Sequence, residues 1–103
     1  MACTRQNVTA LIYDRKGRII SMGKNSYVKT HPLQAKYANE VGLEHKIFLH
    51  AEIDALVRLK DWTRAHRMVI TRIGKRGDEL LAKPCPVCER AIKSAGITEI
   101  EHT

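Results

Sequence analysis

The stretch AKPCPVCERAI, residues 82–92, holds two of the three cysteines of the chain, with Cys85 between two prolines and Cys88 two residues after the second. Cys85 and Cys88 are three residues apart, so on the first turn of a helix their side chains lie about 60° apart around the axis and face one point. Pro86 suits a first helical turn, and Gly96 suits a helix end because glycine tolerates positive φ. The positive end of the helix dipole favours thiolate over thiol at such a position. The stretch therefore predicts a helix with a metal or redox site at its start.

Strands are predicted on both sides of this helix. RMVITRI, residues 67–73, is rich in β-branched residues and predicts a strand before it, and ITEIEHT, residues 97–103, predicts a short strand after it. Between the first of these strands and the helix, GKRGDELLAK, residues 74–83, contains two glycines and several charges, which predict an exposed loop.

The first half of the chain predicts a hairpin and two helices. VTALIY and RIISMG, residues 8–13 and 18–23, read as antiparallel strands joined by the turn-forming DRKGR. In KTHPLQAKYANEVG, residues 29–42, Thr30 or His31 can cap a short helix. A second, amphipathic helix begins near His50 and ends before DWTRAH. The order β-β-α-α-β-α-β predicts one α/β domain over residues 1–103, a three-layer α/β/α sandwich with a mixed sheet.

The composition limits the functional classes. The formal net charge of +7 favours an anionic partner, such as a nucleotide or a nucleic acid, although a solvated basic surface is the plainer alternative. The sequence has neither an apolar run of membrane-span length nor a secretory leader, so we expect a cytoplasmic protein without a membrane segment. Three cysteines do not make a disulfide framework, which leaves metal binding, catalysis or burial as their uses.

A redox role and a metal role both have to be considered for the cysteine pair. Cys-Pro-x-Cys at a helix start is also typical of glutaredoxin-like enzymes, but those carry the pair early in the fold, whereas only 15 residues follow Cys88 here. Two unrelated structural cysteines are the other alternative. A metal needs further ligands, and the chain has five histidines, one of which stands in a distinctive context.

That histidine is His50, in FLHAEIDAL, with Glu52 two residues on. His-x-Glu followed by Pro-Cys-x-x-Cys is the signature of zinc-dependent deaminases. Residues two apart lie about 200° apart on a regular helix, so His50 and Glu52 can converge only where the helix begins. We expect His50, Cys85 and Cys88 to bind zinc and to leave the fourth tetrahedral position to water, as in a catalytic site.

With these motifs the chain resembles the zinc-dependent cytidine and deoxycytidylate deaminase superfamily. HAEIDAL is similar to the metal-binding helix of that family, and PCPVCERAIKSAGI to its cysteine helix. The resemblance implies hydrolytic conversion of cytosine to uracil, with Glu52 as the proton shuttle. It also implies that Asn25 touches the sugar or base and that the backbone amide of Ala51 meets the base carbonyl. Short relatives commonly associate, so a homo-oligomer is expected.

Three functions stay open at this level. The first is deamination of a free nucleotide such as (deoxy)cytidine monophosphate, and the second is the same chemistry on single-stranded DNA or RNA. In the pocket, Tyr27 could stack on a base and Lys24 could meet phosphate, although a sheet-edge ring and a solvated lysine are the plain alternatives. The third function is a non-enzymatic zinc module that binds nucleic acid, whose fourth ligand would be one of Cys3, His66 and His102.

Overall fold

The computed structural model describes residues 7–26, 29–43, 49–73, 79–82 and 84–103. Within these ranges the strands are β1 (Asn7–Tyr13), β2 (Ile19–Lys24), β3 (Arg67–Ile73), β4 (Glu79–Leu80) and β5 (Glu99–His102). The helices are α1 (Pro32–Glu40), α2 (Ala51–Arg58) and α3 (Pro86–Ser94). The predicted hairpin, three helices, third strand and final strand are all confirmed at closely similar positions.

The hairpin turn between β1 and β2 is organised by one carboxylate. Oδ1 of Asp14 accepts hydrogen bonds from the backbone amides of Lys16 and Arg18, each at 2.9 Å. Gly17 follows with φ of 78°, a left-handed conformation that favours glycine. Aspartate and glycine therefore supply the turn that the sequence predicts at DRKGR.

The strands form a mixed sheet with the order β2-β1-β3-β4, in which β5 also pairs with β3. β1 is antiparallel to both β2 and β3, whereas β5 runs parallel to β3 and pairs with residues 67–70. A parallel partner requires a crossover, which α3 provides. The two cysteines lie at the start of this crossover helix.

The loop predicted over residues 74–83 is wrong at Glu79–Leu80. These two residues pair antiparallel with Ile73 and Arg72 as β4. A strand of two residues is too short to show the alternation by which strands are recognised. Residues 74–78 and 83 lie outside the described residues.

One face of the sheet is covered by α2. The two central strands place fully buried side chains on this face, namely Ala10, Ile12, Met68 and Ile70. Gly23 on β2 lies opposite Ala10, and a Cβ atom at Gly23 would collide with the carbonyl oxygen of Ala51 and the amide nitrogen of Ala55. The absence of a side chain at Gly23 therefore lets α2 lie directly on the sheet.

The other two helices pack against α2. α1 and α3 contact each other and α2, and Arg90 on α3 donates a hydrogen bond to Glu40 on α1 at 3.0 Å. The α/β class and the mixed sheet are confirmed. The sheet face opposite α2 carries the half-buried Leu11 and Val69 and the exposed Met22.

Candidate metal centre and active site

The start of α2 places a histidine where the sequence predicts it. His50 is the N-cap residue, with extended backbone at φ −83° and ψ 155°, and its carbonyl accepts the first helical hydrogen bond from the Asp54 amide at 2.9 Å. Because His50 precedes the regular helix, its side chain is released from helical spacing relative to Glu52. This is the geometry that the His-x-Glu motif requires.

The start of α3 has the same design. Cys85 is its N-cap residue, Pro86 is in its first turn, and the carbonyl of Cys85 accepts a hydrogen bond from the Glu89 amide at 2.9 Å. Proline is favoured here because its missing N–H and its fixed φ suit a first helical turn. Cys88 lies one turn further on the buried side of α3.

His50, Cys85 and Cys88 meet as a group that could hold a metal ion. Their ligand atoms all lie within 4.8 Å of one another. Nδ1 of His50 lies 3.2 Å from Sγ of Cys88 and 3.5 Å from Sγ of Cys85, so this ring nitrogen is the one that faces both sulfurs. One imidazole and two thiolates are a donor set that zinc prefers. Three protein ligands leave one tetrahedral position for water or substrate.

The pKa values of the two thiols are shifted in opposite directions. The pKa of Cys85 is lowered to about 3, because the Cys88 thiol donates a hydrogen bond to it and because His50 lies beside it, although burial acts in the opposite direction. The pKa of Cys88 is raised well above its ordinary value, because its proton is held by Cys85 and because it is buried. Cys85 is therefore a ready thiolate ligand, and metal binding has to displace the proton of Cys88.

Glu52 lies beside the ligand group and is almost completely enclosed, with 6% of its surface exposed. Burial raises the pKa of its carboxyl group, while His50 and a hydrogen bond with Cys88 act to lower it. The carboxyl group of Glu52 therefore lies close to His50 at the start of α2 and to Cys88 in the first turn of α3. A carboxyl group whose pKa lies above its ordinary value is suited to accept and return a proton near neutral pH.

The residues predicted to contact substrate are partly brought to the same place. Oδ1 of Asn25 accepts a hydrogen bond from the Val8 amide at 3.0 Å, so the side chain connects the end of β2 to β1. The next residue, Ser26, donates its backbone amide to the carbonyl of Leu49 at 2.9 Å, which holds this segment beside the residue that precedes His50. Asn25 therefore connects the end of β2 to β1, and its contact with substrate stays a prediction.

The other three predicted contacts have different outcomes. Ala51 is the first residue of α2 and is fully buried, so its amide is one of the helix-start donors that have no partner within the helix. Lys24 ends β2 and is exposed. Tyr27 lies outside the described residues.

Two polar side chains that the sequence reading passed over support this site. Gln34 on α1 is fully buried, and its Oε1 accepts a hydrogen bond from the His50 amide at 3.3 Å. Asp54 on α2 is buried, and its Oδ2 accepts a hydrogen bond from the Lys24 amide at 2.9 Å. Gln34 lies in the predicted short helix and Asp54 in the predicted amphipathic helix, and neither belongs to a motif that marks it for a role.

The fourth-ligand alternative receives no support from the part of the chain that is described. No further histidine, cysteine or acidic residue joins the three ligands within it. His66 lies 3.8 Å from Glu99, and Nδ1 of His102 lies 3.0 Å from the carbonyl of Thr103. Cys3 lies outside the described residues.

Comparison with known proteins agrees with this geometry. The sequence matches the family described as "Cytidine and deoxycytidylate deaminase zinc-binding region" over residues 1–102. A search of curated proteins finds no match. None of the helices within the described residues combines the length and apolar character needed to cross a membrane. On the family match over nearly its whole length, and with a His-Cys-Cys group in place, the chain belongs to the zinc-binding cytidine and deoxycytidylate deaminase family.

Proposed function

We propose that the protein is a zinc-dependent hydrolase that deaminates cytosine to uracil in a free nucleotide, with (deoxy)cytidine monophosphate as its substrate class. The observation that carries the proposal is the placement of a buried carboxyl group, Glu52, beside a three-ligand metal group. A structural zinc site would use four protein ligands and would need no such acid.

His50, Cys85 and Cys88 are the proposed zinc ligands. Zinc bound there would supply a water molecule whose pKa is lowered from 15.7 towards about 7. The chain itself holds the ligands at two helix starts, where the dipoles favour the thiolates. The low pKa of Cys85, about 3, matches this role, because a ligand that is already ionised binds the metal without losing a proton.

Glu52 is the proposed general base and acid. It takes a proton from the attacking water and delivers it to the ring nitrogen next to the amine-bearing carbon, which makes that carbon electrophilic. The hydroxide bonds to that carbon, and Glu52 takes the proton of the new hydroxyl group and gives it to the amine, which leaves as ammonia as the carbonyl forms. Its enclosure keeps the carboxyl group away from bulk water, and burial raises its pKa, which favours holding a proton between the two transfers.

Asn25 and the Ala51 amide are the proposed contacts to the nucleotide. Oδ1 of Asn25 accepts a hydrogen bond from the Val8 amide, which holds the side chain in place, and the side-chain amide would contact a sugar or base oxygen. The Ala51 amide would donate to the base carbonyl from the first turn of α2. Lys24, exposed at the end of β2, would meet the phosphate, and Tyr27 would stack on the base.

A free nucleotide is favoured over a strand by the way the aromatic rings are used. A track for single-stranded nucleic acid needs several exposed rings on which bases can stack. Tyr37 is buried, the ring of Tyr13 packs under the Arg67 guanidinium at 4.5 Å, and Nε1 of Trp62 donates to the Leu56 carbonyl at 2.8 Å. Three of the five aromatic residues are thus occupied in packing, which leaves little for such a track.

The test is a substrate panel. The zinc-loaded protein is offered cytidine, cytidine and deoxycytidine mono- and triphosphates, cytosine, and a cytosine-containing single-stranded oligonucleotide, and the ammonia released is measured. We expect turnover on a monophosphate and none with Glu52→Gln. If ammonia is released mainly from the oligonucleotide, the substrate is a nucleic acid strand and not a free nucleotide. If no substrate releases ammonia, the proposed deaminase activity is contradicted.

A further inference from the structure

Asp54 is a buried carboxylate that the proposed reaction does not use. It lies on α2 two residues after Glu52, and only 8% of its surface is exposed. Buried carboxylates are uncommon unless they are paired or hydrogen-bonded, because removing charge from water is costly. The contacts of Asp54 therefore indicate what it stabilises.

The first contact joins α2 to the end of the sheet. Oδ2 of Asp54 accepts a hydrogen bond from the backbone amide of Lys24 at 2.9 Å. β2 stands at the end of the strand order, where amides that point away from the neighbouring strand have no partner within the sheet. The carboxylate therefore satisfies an edge-strand donor and ties the last residue of β2 to the helix that carries Glu52.

The second contact is an ion pair at the surface. Nε of Arg58 lies 3.2 Å from Oδ1 and 3.1 Å from Oδ2 of Asp54, while the Arg58 side chain is 61% exposed. Exposed pairs of this kind contribute little to stability. The contact to Lys24 is thus the one with structural consequence, and Arg58 offers a variant that removes the ion pair alone.

The residue after Lys24 is Asn25, which makes two hydrogen bonds to Val8 on β1. Its Oδ1 accepts from the Val8 amide at 3.0 Å, and its own amide donates to the Val8 carbonyl at 3.3 Å. Ser26 then bonds to Leu49. The segment 24–26 is therefore fixed to α2 at Asp54, to β1 at Val8, and to the chain just before His50.

We infer that Asp54 is a positioning residue that sets the place of Asn25 relative to Glu52 and thereby governs nucleotide binding. The inference rests on the proposed function, in which Asn25 contacts the substrate. A side chain without an acceptor at position 54 would release the end of β2, and Asn25 would lose its fixed distance from the catalytic carboxyl group. Asparagine at this position keeps an acceptor oxygen and loses only the charge.

The experiment compares Asp54→Leu with Asp54→Asn and Arg58→Gln in the zinc-loaded protein. We expect Asp54→Leu to raise KM for the cytosine nucleotide about 10-fold or more, with zinc content unchanged and kcat changed much less. Asp54→Asn should recover most of the wild-type KM, and Arg58→Gln should match wild type. Should Asp54→Leu fail to fold, Asp54→Ser, whose hydroxyl is too short to reach the Lys24 amide, takes its place.

A second readout does not depend on turnover. Amide hydrogen exchange should accelerate in Asp54→Leu at Lys24 and at Val8, which responds only through Asn25, while the core amide of Ile70 stays protected. An active wild type with an unchanged KM in Asp54→Leu, or an unchanged Val8 amide, would overturn the inference. An inactive wild type with accelerated Val8 exchange would refute the proposed function and leave the positioning role of Asp54 supported.

Discussion

The side-chain oxygen of Gln34 on α1 accepts a hydrogen bond from the backbone amide of His50, and the two atoms lie 3.3 Å apart. Gln34 is fully buried, so this contact is made away from water. It fixes the backbone of a proposed zinc ligand from a helix that contributes no ligand. Contacts of this kind orient ligands and commonly affect metal affinity.

Replacing Gln34 should therefore weaken zinc binding. Gln34→Leu removes the acceptor while keeping similar volume, so we expect an about 10-fold or larger loss of zinc affinity and a loss of about 1–3 kcal/mol in the free energy of unfolding. Competition with a chelator and urea unfolding measure the two effects. Asn39→Leu, exposed on the same helix, is the control, and equal zinc affinity in both variants would contradict the expectation.

Glu52→Gln should separate metal binding from catalysis. Glutamine has nearly the same shape but cannot shuttle a proton, so kcat should fall by at least about 10² to 10⁴. Zinc content, measured by atomic absorption, should stay at the wild-type level because Glu52 is not a proposed ligand. Loss of zinc together with activity would instead make Glu52 part of the metal group.

Removing zinc should destabilise the fold. A ligand present at 100 times its Kd stabilises the native state by about 2.7 kcal/mol, which corresponds to roughly 10 °C in Tm for a domain of this size. We expect a chelator to lower Tm by about that amount, and added zinc to restore it. Cys88→Ser should abolish this zinc-dependent change in Tm. If the Tm of the wild type is the same with and without zinc, a tightly bound metal is excluded.

Gly23→Ala should disturb the packing of α2 on the sheet. The added Cβ would collide with the backbone of Ala51 and Ala55, and the Cα of Ala55 would lie only 2.8 Å from it. We therefore expect a loss of about 1–3 kcal/mol in the free energy of unfolding, and weaker zinc binding. Gly17→Ala, at an open position with positive φ, is the control. It should cost stability through backbone strain alone and leave zinc affinity unchanged. Normal zinc affinity in Gly23→Ala would show that the helix can shift without effect.

Asp14 should make the stability of the hairpin depend on acidity. Hydrogen bonds from the Arg18 amide, the Arg18 side chain and the Lys16 amide lower the pKa of its carboxyl group below the ordinary value of 3.8. Its stabilisation is therefore complete above that value and is lost as pH falls below it. Urea unfolding should show a constant difference between wild type and Asp14→Asn above about pH 5, which shrinks towards lower pH. Parallel curves throughout would contradict this role.

The elements that the sequence predicted correctly have strong local signals. Pro86 and Gly96 mark the two ends of α3, and the structure has Pro86 in the first turn and Gly96 at φ 80° after the helix. His31 caps α1 by accepting a hydrogen bond from the Leu33 amide at 3.0 Å. The metal group was predictable for the same reason, because its ligands stand at helix starts within recognisable motifs.

The parts that were not predicted depend on partners far away in the chain. Gln34 bonds to a residue 16 positions away and Asp54 to one 30 positions away, so neither spacing carries a periodic signal. β4 exists only because β3 offers a free edge, and two residues show no alternation.

The two helices whose first turns carry the ligands both lack a side-chain cap at the N-terminus. Within the described residues, His50 and Cys85 both occupy N-cap positions without making a capping hydrogen bond, since their side chains turn to the metal group instead. A bound ion would then fasten both first turns, so metal binding would be coupled to the ordering of these two helix starts. Zinc supply would then influence how long the polypeptide survives proteases, because a less stable metal-free form opens more often.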